Sequence, residues 1–309
     1  MKLIGRRGFM KTAASAAIGA GLARGMGGRT ISLAEAAETL PMPTRRLGKT
    51  GYHASLFSLG GQSTLEQGDK GAEAAEIIHR ALDLGVNYID TADSYGGGAS
   101  EQNIGAALGD RRDDVFIATK TRIRTDDGIE DGAFVRTCER LQTDYINLYY
   151  AHGLHSNGDL DTFLDRETGG IRAFERLREQ DRIRHIGISS HSSAALMEAM
   201  RRYDLDCVFI TMNPAGLSMN DPENLRDMLA MAEDKDVGVV GMKIVARGRI
   251  FEHDLNMEES LTYALSLPIA TAALGITQVE QVVENAGIAK TFAPYEAAMM
   301  ARLETIARA

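Results

Sequence analysis

Val86 to Gly98 reads VNYIDTADSYGGG. It opens as an apolar run, Val86-Asn87-Tyr88-Ile89, which fits a strand buried on both faces of a parallel sheet. It then breaks into polar residues and glycine. Asp90 stands where the strand should stop, and Tyr95 follows a short loop later. A strand that ends on an ionisable side chain and hands over to a glycine-rich loop is a candidate wall of a catalytic site. The next test is whether other strands end the same way.

Working outward, the pattern repeats. Apolar runs predict strands at 54–59, 86–89, 115–119, 145–150, 183–188, 206–210, 237–242 and 269–274. Helical periodicity between and after them predicts helices at 72–84, 100–108, 130–140, 170–180, 192–202, 222–233, 257–266 and 278–290. Ala75, Ile78, Ala81 and Leu82 share one face of the first of these. Asp221-Pro222 predicts an N-cap followed by proline at the first helical position. Gly153 to Thr168 is the longest expected loop and is predicted to shape the site's mouth. Eight strand–helix units in about 240 residues imply parallel pairing, and they fit a closed single-domain (β/α)₈ TIM barrel better than an open sheet. A last helix, about Tyr295 to Ala307, is expected outside the barrel.

Two further strands end on ionisable groups: Val115-Phe116-Ile117-Ala118-Thr119-Lys120 and Leu148-Tyr149-Tyr150-Ala151-His152. In a barrel, Asp90, Tyr95, Lys120 and His152 would all open onto the C-terminal rim from three adjacent strands. Neighbouring strands lie about 5 Å apart, so these side chains can touch. Their chemistry is complementary. A tyrosine hydroxyl near pKa 10 is a poor acid at neutral pH. A lysine cation beside it is expected to lower that pKa, and Asp90 can serve as the buried lysine's counter-ion. His152 can hold a carbonyl oxygen against the tyrosine hydroxyl. The set protonates a carbonyl but carries no hydride, so a nicotinamide cofactor is implied.

Ile89-Asp90-Thr91-Ala92-Asp93-Ser94-Tyr95-Gly96, Ala118-Thr119-Lys120 and Tyr150-Ala151-His152 resemble the aldo/keto reductase superfamily. The resemblance implies an NAD(P)H-dependent carbonyl reductase with those four catalytic residues and Tyr95 as general acid. It also implies a cofactor half. Ser189-Ser190 matches a Ser-Asn pair that holds the nicotinamide carboxamide, with Ser190 in place of the asparagine. Asn213 matches a turn after the sixth strand. Phe209 stands where relatives often carry glutamine, and Met242 where many place a stacking tyrosine. Lys243, in a stretch running to Gly248, is expected at the pyrophosphate. Gly275, Thr277, Gln281, Glu284 and Asn285 resemble the adenosine site. No Lys or Arg lies between Gly275 and Gly287, which weakens a preference for the 2′-phosphate. NADP(H) is still expected ahead of NAD(H).

The N-terminus differs from the rest. Gly5-Arg6-Arg7-Gly8-Phe9-Met10-Lys11, a weakly apolar run from Thr12 to Ala23, and the small-x-small triplet Ala34-Glu35-Ala36 resemble a twin-arginine export signal. This predicts a signal over 1–36, a mature barrel over 37–309, an encounter with the export machinery, and a periplasmic or otherwise exported destination. That route carries folded proteins, so a cofactor bound before export is implied. The apolar run is too short and glycine-rich to span a bilayer.

The 309 residues include 34 Lys and Arg against 43 Asp and Glu, a net charge of −9. Removing residues 1–36, with six of the former and one of the latter, gives −14. An acidic surface argues against a nucleic-acid partner and leaves a small-molecule carbonyl as the expected one. Cys138 and Cys207 fall in a predicted helix and strand and read as buried small hydrophobes. The seven histidines are scattered, with no metal-ligand spacing. His155 and His191 can line the substrate mouth. Two other readings compete: a nicotinamide-binding sensor or partner subunit with little turnover, and a Schiff-base enzyme using Lys120 or Lys243.

Overall fold

The computed structural model describes residues 22–24 and 30–308. Eight parallel strands close into a barrel: β1 Phe57–Ser63, β2 Tyr88–Asp90, β3 Phe116–Thr121, β4 Ile146–Ala151, β5 Ile183–Ser190, β6 Cys207–Thr211, β7 Gly238–Met242 and β8 Thr271–Ile276. Each pairs with its sequence neighbours, and β8 closes onto β1. Every strand is followed by at least one helix, so the expected (β/α)₈ barrel is what forms.

Side chains alternate by period two along each strand, and this sorts them into two cores. Tyr88, Phe116, Ala118, Leu148, Tyr150, Cys207, Phe209 and Val240 point into the barrel and pack on one another. Ile89, Ile117, Tyr149, Val208 and Val239 point outward, where they meet the helices. Continuing the inward rows by two residues gives Asp90, Lys120, His152 and Met242. The candidate catalytic groups are therefore the top layer of the barrel interior.

An antiparallel hairpin, Thr44–Arg46 with His53–Ser55, covers the opposite end and buries Leu47 beneath the inward core. This corrects the strand predicted at 54–59. The chain breaks at Leu56, the Ser55 hydroxyl donates to Phe57 O, and β1 starts only at Phe57. The expected long loop also holds a helix, Asn157–Phe163. Ser156 and Asp159 close a reciprocal capping box on it, and Leu160 and Phe163 are buried. Asp221 has a different role from the one expected. Its carboxylate accepts from the backbone N–H groups of Ser193 and Ala194, capping the helix Ser193–Arg202 instead of its own. Pro222 opens a 3₁₀ turn, and that helix proper begins at Leu225. The helix predicted at 130–140 starts as a π turn, Ile129–Phe134. The terminal helix runs Ala297–Arg308. Cys138 and Cys207 are buried and unpaired.

A short helix, Leu33–Thr39, capped by Ser32, lies on the helix Val279–Lys290. Ala36 and Ala37 are fully buried there. Lys290 Nζ donates to Ala37 O, and Arg80 pairs with Glu38. Residues 1–21 and 25–29, with the paired arginines and most of the predicted signal, lie outside the described residues. No helix among the described residues is long and apolar enough to cross a membrane.

Candidate active site

β2 ends on Asp90 and β3 carries Lys120, both buried. Lys120 Nζ donates to Asp90 Oδ1 and, at 2.6 Å, to Thr91 O. A buried ammonium is tolerated only with such partners. Three rings surround it: Phe209 with its centroid at 4.6 Å, Tyr95 at 5.0 Å and Tyr150 at 5.9 Å. Asp90 Oδ2 has no hydrogen-bond partner among the described residues. Burial pushes the Asp90 carboxyl up to about 6, against the pull of Lys120.

Tyr95 stands on the loop after β2, at the head of the turn Tyr95–Gly98. Gly96 has φ 58°, and a Cβ there would lie 1.9 Å from Glu66 O. Only glycine lets this turn press against the β1 loop, which keeps Tyr95 over the barrel mouth. The Tyr95 and His152 rings meet edge to face, 5.8 Å apart. The predicted quartet is thus assembled. The predicted pKa direction is not. Burial holds the Tyr95 hydroxyl above its ordinary value, and the Lys120 cation offsets this only in part. His152 is pushed down to about 2 by burial and by the cations Lys120, Arg122 and Arg124. It is a neutral imidazole, and its buried Nδ1 has no partner among the described residues.

Tyr95 and His152 line a pocket of about 660 Å³, together with Ser189, Ser190, Phe209, Met242 and Lys243. Ser189 Oγ accepts from Gly153 N–H at 2.9 Å. Ser190 Oγ accepts from Ser192 N–H at 3.0 Å and faces His155 Nδ1 at 3.2 Å. Both hydroxyls of the predicted carboxamide pair therefore also brace loops. His155 and His191 join them at the mouth, as expected. Asn213 takes no part in the pocket lining. Its amide donates to Leu217 O and Lys243 O and accepts from Leu217 N–H, tying the β6 and β7 loops together.

Lys243, half-buried, donates to Gln62 Oε1 at 2.8 Å. Burial, Arg247 and Lys120 push its ammonium down to about 8. The loop it opens is strained: Lys243, Ala246 and Arg247 have φ of 56°, 46° and 59°, and Gly248 has 86°. The N–H groups of Ala246 and Gly248 donate within the loop, to Lys243 O and Val245 O, so what it offers an anion is the charge of Lys243, Arg247 and Arg249 at the pocket. Gly275 sits in β8, and Thr277 follows it. Thr277 N–H and Oγ1 both reach Gln281 Oε1, at 2.8 and 3.0 Å. Glu284 is exposed one turn on. Asn285 is fully buried, with neither end of its amide partnered among the described residues. An amide with a free donor and a free acceptor suits the edge of a purine. The pocket, the cationic loop and this orphaned amide fit a dinucleotide lying across β7, β8 and β1.

Residues 57–262 match the family model of the aldo/keto reductases. The chain belongs to the aldo/keto reductase family. It is 31% identical over 291 residues to the uncharacterized oxidoreductase YqkF of Bacillus subtilis, which spans 79% of this chain and 90% of that one. It is 30% identical over 219 residues to the L-galactose dehydrogenase of Arabidopsis thaliana, 67% of each chain. Among solved structures, the holo form of aldo-keto reductase AKR11C1 from Bacillus halodurans is similar with a TM-score of 0.71 and 29% identity, over 86% of this chain and 96% of that one. A Klebsiella pneumoniae aldo-keto reductase in complex with NADPH shares the fold, with a TM-score of 0.70 at 19% identity, over 86% and 95%.

In this aldo/keto reductase, five pocket residues escaped the sequence reading: Gln62, Arg122, Arg124, Ser218 and Arg249. Arg247 lay inside a quoted stretch but was given no role. Arg122 and Arg124 follow Lys120 at two-residue steps, so the period that placed Lys120 at the rim was the signal for them. Gln62 had no such signal, because its role depends on reaching Lys243, 181 residues away in sequence.

Proposed function

We propose that this aldo/keto reductase reduces aldehydes or ketones to alcohols with NADP(H), and that Tyr95 is the general acid. The observation that carries the reading is the buried Asp90–Lys120 pair set under the Tyr95 ring, with neutral His152 edge-on to the same ring. A reduced nicotinamide supplies the hydride that adds to the carbonyl carbon. The chain's part is the proton and the position. His152 stays neutral at any working pH, so it orients the carbonyl oxygen as a hydrogen-bond donor without taking over the proton transfer. The Tyr95 hydroxyl delivers its proton to that oxygen as the carbonyl bond breaks. The phenolate left behind lies beside the Lys120 cation and regains its proton from solvent. Desolvation keeps Tyr95 protonated between turnovers, so a raised resting pKa suits an acid that must hold its proton until substrate arrives.

Lys243, Gly248 and Gln62 are the groups for the cofactor's phosphates, and Thr277, Gln281, Glu284 and Asn285 those for its adenosine end. Met242 and Phe209 are the apolar cover for its ring. NADP(H) is supported by the NADPH held in the Klebsiella pneumoniae structure and by a relative named as using NADP(+), 27% identical over 198 residues. The export reading also stands as a proposal. The Arg6-Arg7 motif supports passage through twin-arginine machinery to the periplasm or beyond, with the barrel folded first.

The deciding experiment is a fluorescence titration with NADPH and NADH, followed by a panel of carbonyl compounds. Tyr95→Phe should keep nucleotide affinity within a few-fold and lose about 10²–10⁴ in kcat. Equal turnover in Tyr95→Phe and the parent chain would remove Tyr95 as the acid. Nucleotide binding with no turnover of any carbonyl would sink the reductase reading in favour of the sensor.

A further inference from the structure

The chain has 43 Asp and Glu against 34 Lys and Arg, yet no carboxylate lines the pocket. Five cations do. Arg122 and Arg124 come from the loop after β3, and Lys243, Arg247 and Arg249 from the loop after β7. Elsewhere arginines are neutralised, as Arg46 is by Asp236 and Arg176 by Asp126 and Glu130. Among the described residues none of the five pocket cations has a carboxylate within ion-pair distance. In the closed ring, β3 lies four strands from β7, so the two groups of cations face each other across the mouth. The β7 group suffices for the phosphates of a dinucleotide. The β3 group, on the His152 side, is left without an anion.

The two β3-loop arginines differ. Arg124 is committed: it donates to Arg122 O at 3.0 Å, His152 O at 2.6 Å and Gly153 O at 3.2 Å. It fixes the backbone of its neighbour and lends charge from behind. The Arg122 side chain is exposed and makes no hydrogen bond among the described residues. Both guanidiniums lie close enough to His152 and His155 to disfavour their protonation. Two acids face this wall. Asp93 feels the Arg122 charge but is bonded to Thr121. Asp159 accepts from His155 N–H, Ser156 N–H and Ser156 Oγ in the cap of the helix Asn157–Phe163.

We propose that the substrate bears an anionic group, carboxylate or phosphate, besides its carbonyl, and that Arg122 grips that group while His152 and Tyr95 hold the carbonyl. This rests on the carbonyl-reductase reading above. A guanidinium fork matches the paired oxygens of either anion. The placement sets the polarity of the substrate: its charged end lies toward the β3–β4 loops and its reacting end over the barrel axis.

The test compares matched pairs: 4-carboxybenzaldehyde with its neutral methyl ester, and glyceraldehyde 3-phosphate with glyceraldehyde. In the parent chain kcat/KM for at least one charged member should exceed that of its neutral partner tenfold or more at low salt, with the excess shrinking as salt is added. The pair that shows the excess identifies the anion. Arg122→Gln should cut the charged-to-neutral ratio about tenfold, and Arg122→Lys should keep part of it. Arg122 is exposed, so these variants fold. A ratio near one in the parent, or the same ratio in parent and Arg122→Gln, overturns the proposal. Equilibrium dialysis of 4-carboxybenzaldehyde and its methyl ester, with NADPH present, separates this from the function itself. Tighter binding of the acid that Arg122→Gln abolishes upholds the anion site even if no carbonyl is turned over. Equal binding of acid and ester, with no turnover, removes both readings.

Discussion

Lys120 is an ammonium with no solvent contact, and among the described residues its only ion-pair partner is Asp90. Burial sets the Asp90 carboxyl at about 6, so it is ionised above that pH and gains a proton as pH falls through it. Protonated Asp90 leaves Lys120 less firmly held under Tyr95. The reductive kcat/KM should accordingly fall below pH 6, and Asp90→Asn should abolish that limb while lowering the plateau. His152 is not the source of such a limb, because its pKa of about 2 keeps it neutral throughout. A pH profile of both chains decides this, and an unchanged limb in Asp90→Asn would reassign it. Asp90, Lys120 and His152 were legible in the sequence because each ends an apolar run, and Tyr95 because it follows one of them after a short polar loop. The net rise in the Tyr95 pKa was not, since it depends on how deeply the loop buries the phenol.

At the scale of elements, the loop after β7 stands out for its run of left-handed residues ending at Gly248. Lys243 opens it with an ammonium pushed down to about 8. A cation with a lowered pKa loses charge as pH rises, so NADPH affinity should weaken as pH climbs through about 8. In Lys243→Gln it should be weaker at every pH and nearly flat across that range. Titrating nucleotide fluorescence from pH 6 to 9 reads both. The helix Leu33–Thr39 is the second telling element. Cleavage after Ala36 would cut it between two fully buried alanines. A chain beginning at Leu40 should lose about 2 kcal/mol relative to one beginning at Leu22, from the apolar area uncovered. At this size that is a fall of about 3 °C in Tm. Thermal unfolding of the two chains checks it, and equal Tm values would mean the helix adds nothing. The sequence showed Ala34-Glu35-Ala36 as a small-residue triplet. Only the packing against Val279–Lys290 revealed that the triplet also belongs to the barrel's coat.

Over the whole molecule, one ring of strands brings groups from every part of the chain to one rim. Gln62 meets Lys243, and Arg124 holds the carbonyls of His152 and Gly153. A barrel closed in this way leaves the cytoplasm complete if the export proposal holds, with its cofactor loops already formed around a nucleotide. Replacing Arg6 and Arg7 together with Lys should then keep most of the protein in the cytoplasm, and cell fractionation reads the shift. An unchanged distribution would leave the paired arginines without an export role.

The sequence by itself determined the barrel, because eight apolar runs separated by helical periods admit few other closed arrangements. It also determined that Asp90, Lys120 and His152 gather at one rim, because a period of two along a strand decides which side chains face inward. It did not determine what those side chains meet. The capping of a neighbouring helix by Asp221 and the bracing roles of Ser189 and Asn213 all depend on distant partners. The ring of unpaired cations around the pocket is of the same kind. Charges scattered through an acidic chain become a positive mouth only when strands far apart in sequence are set face to face.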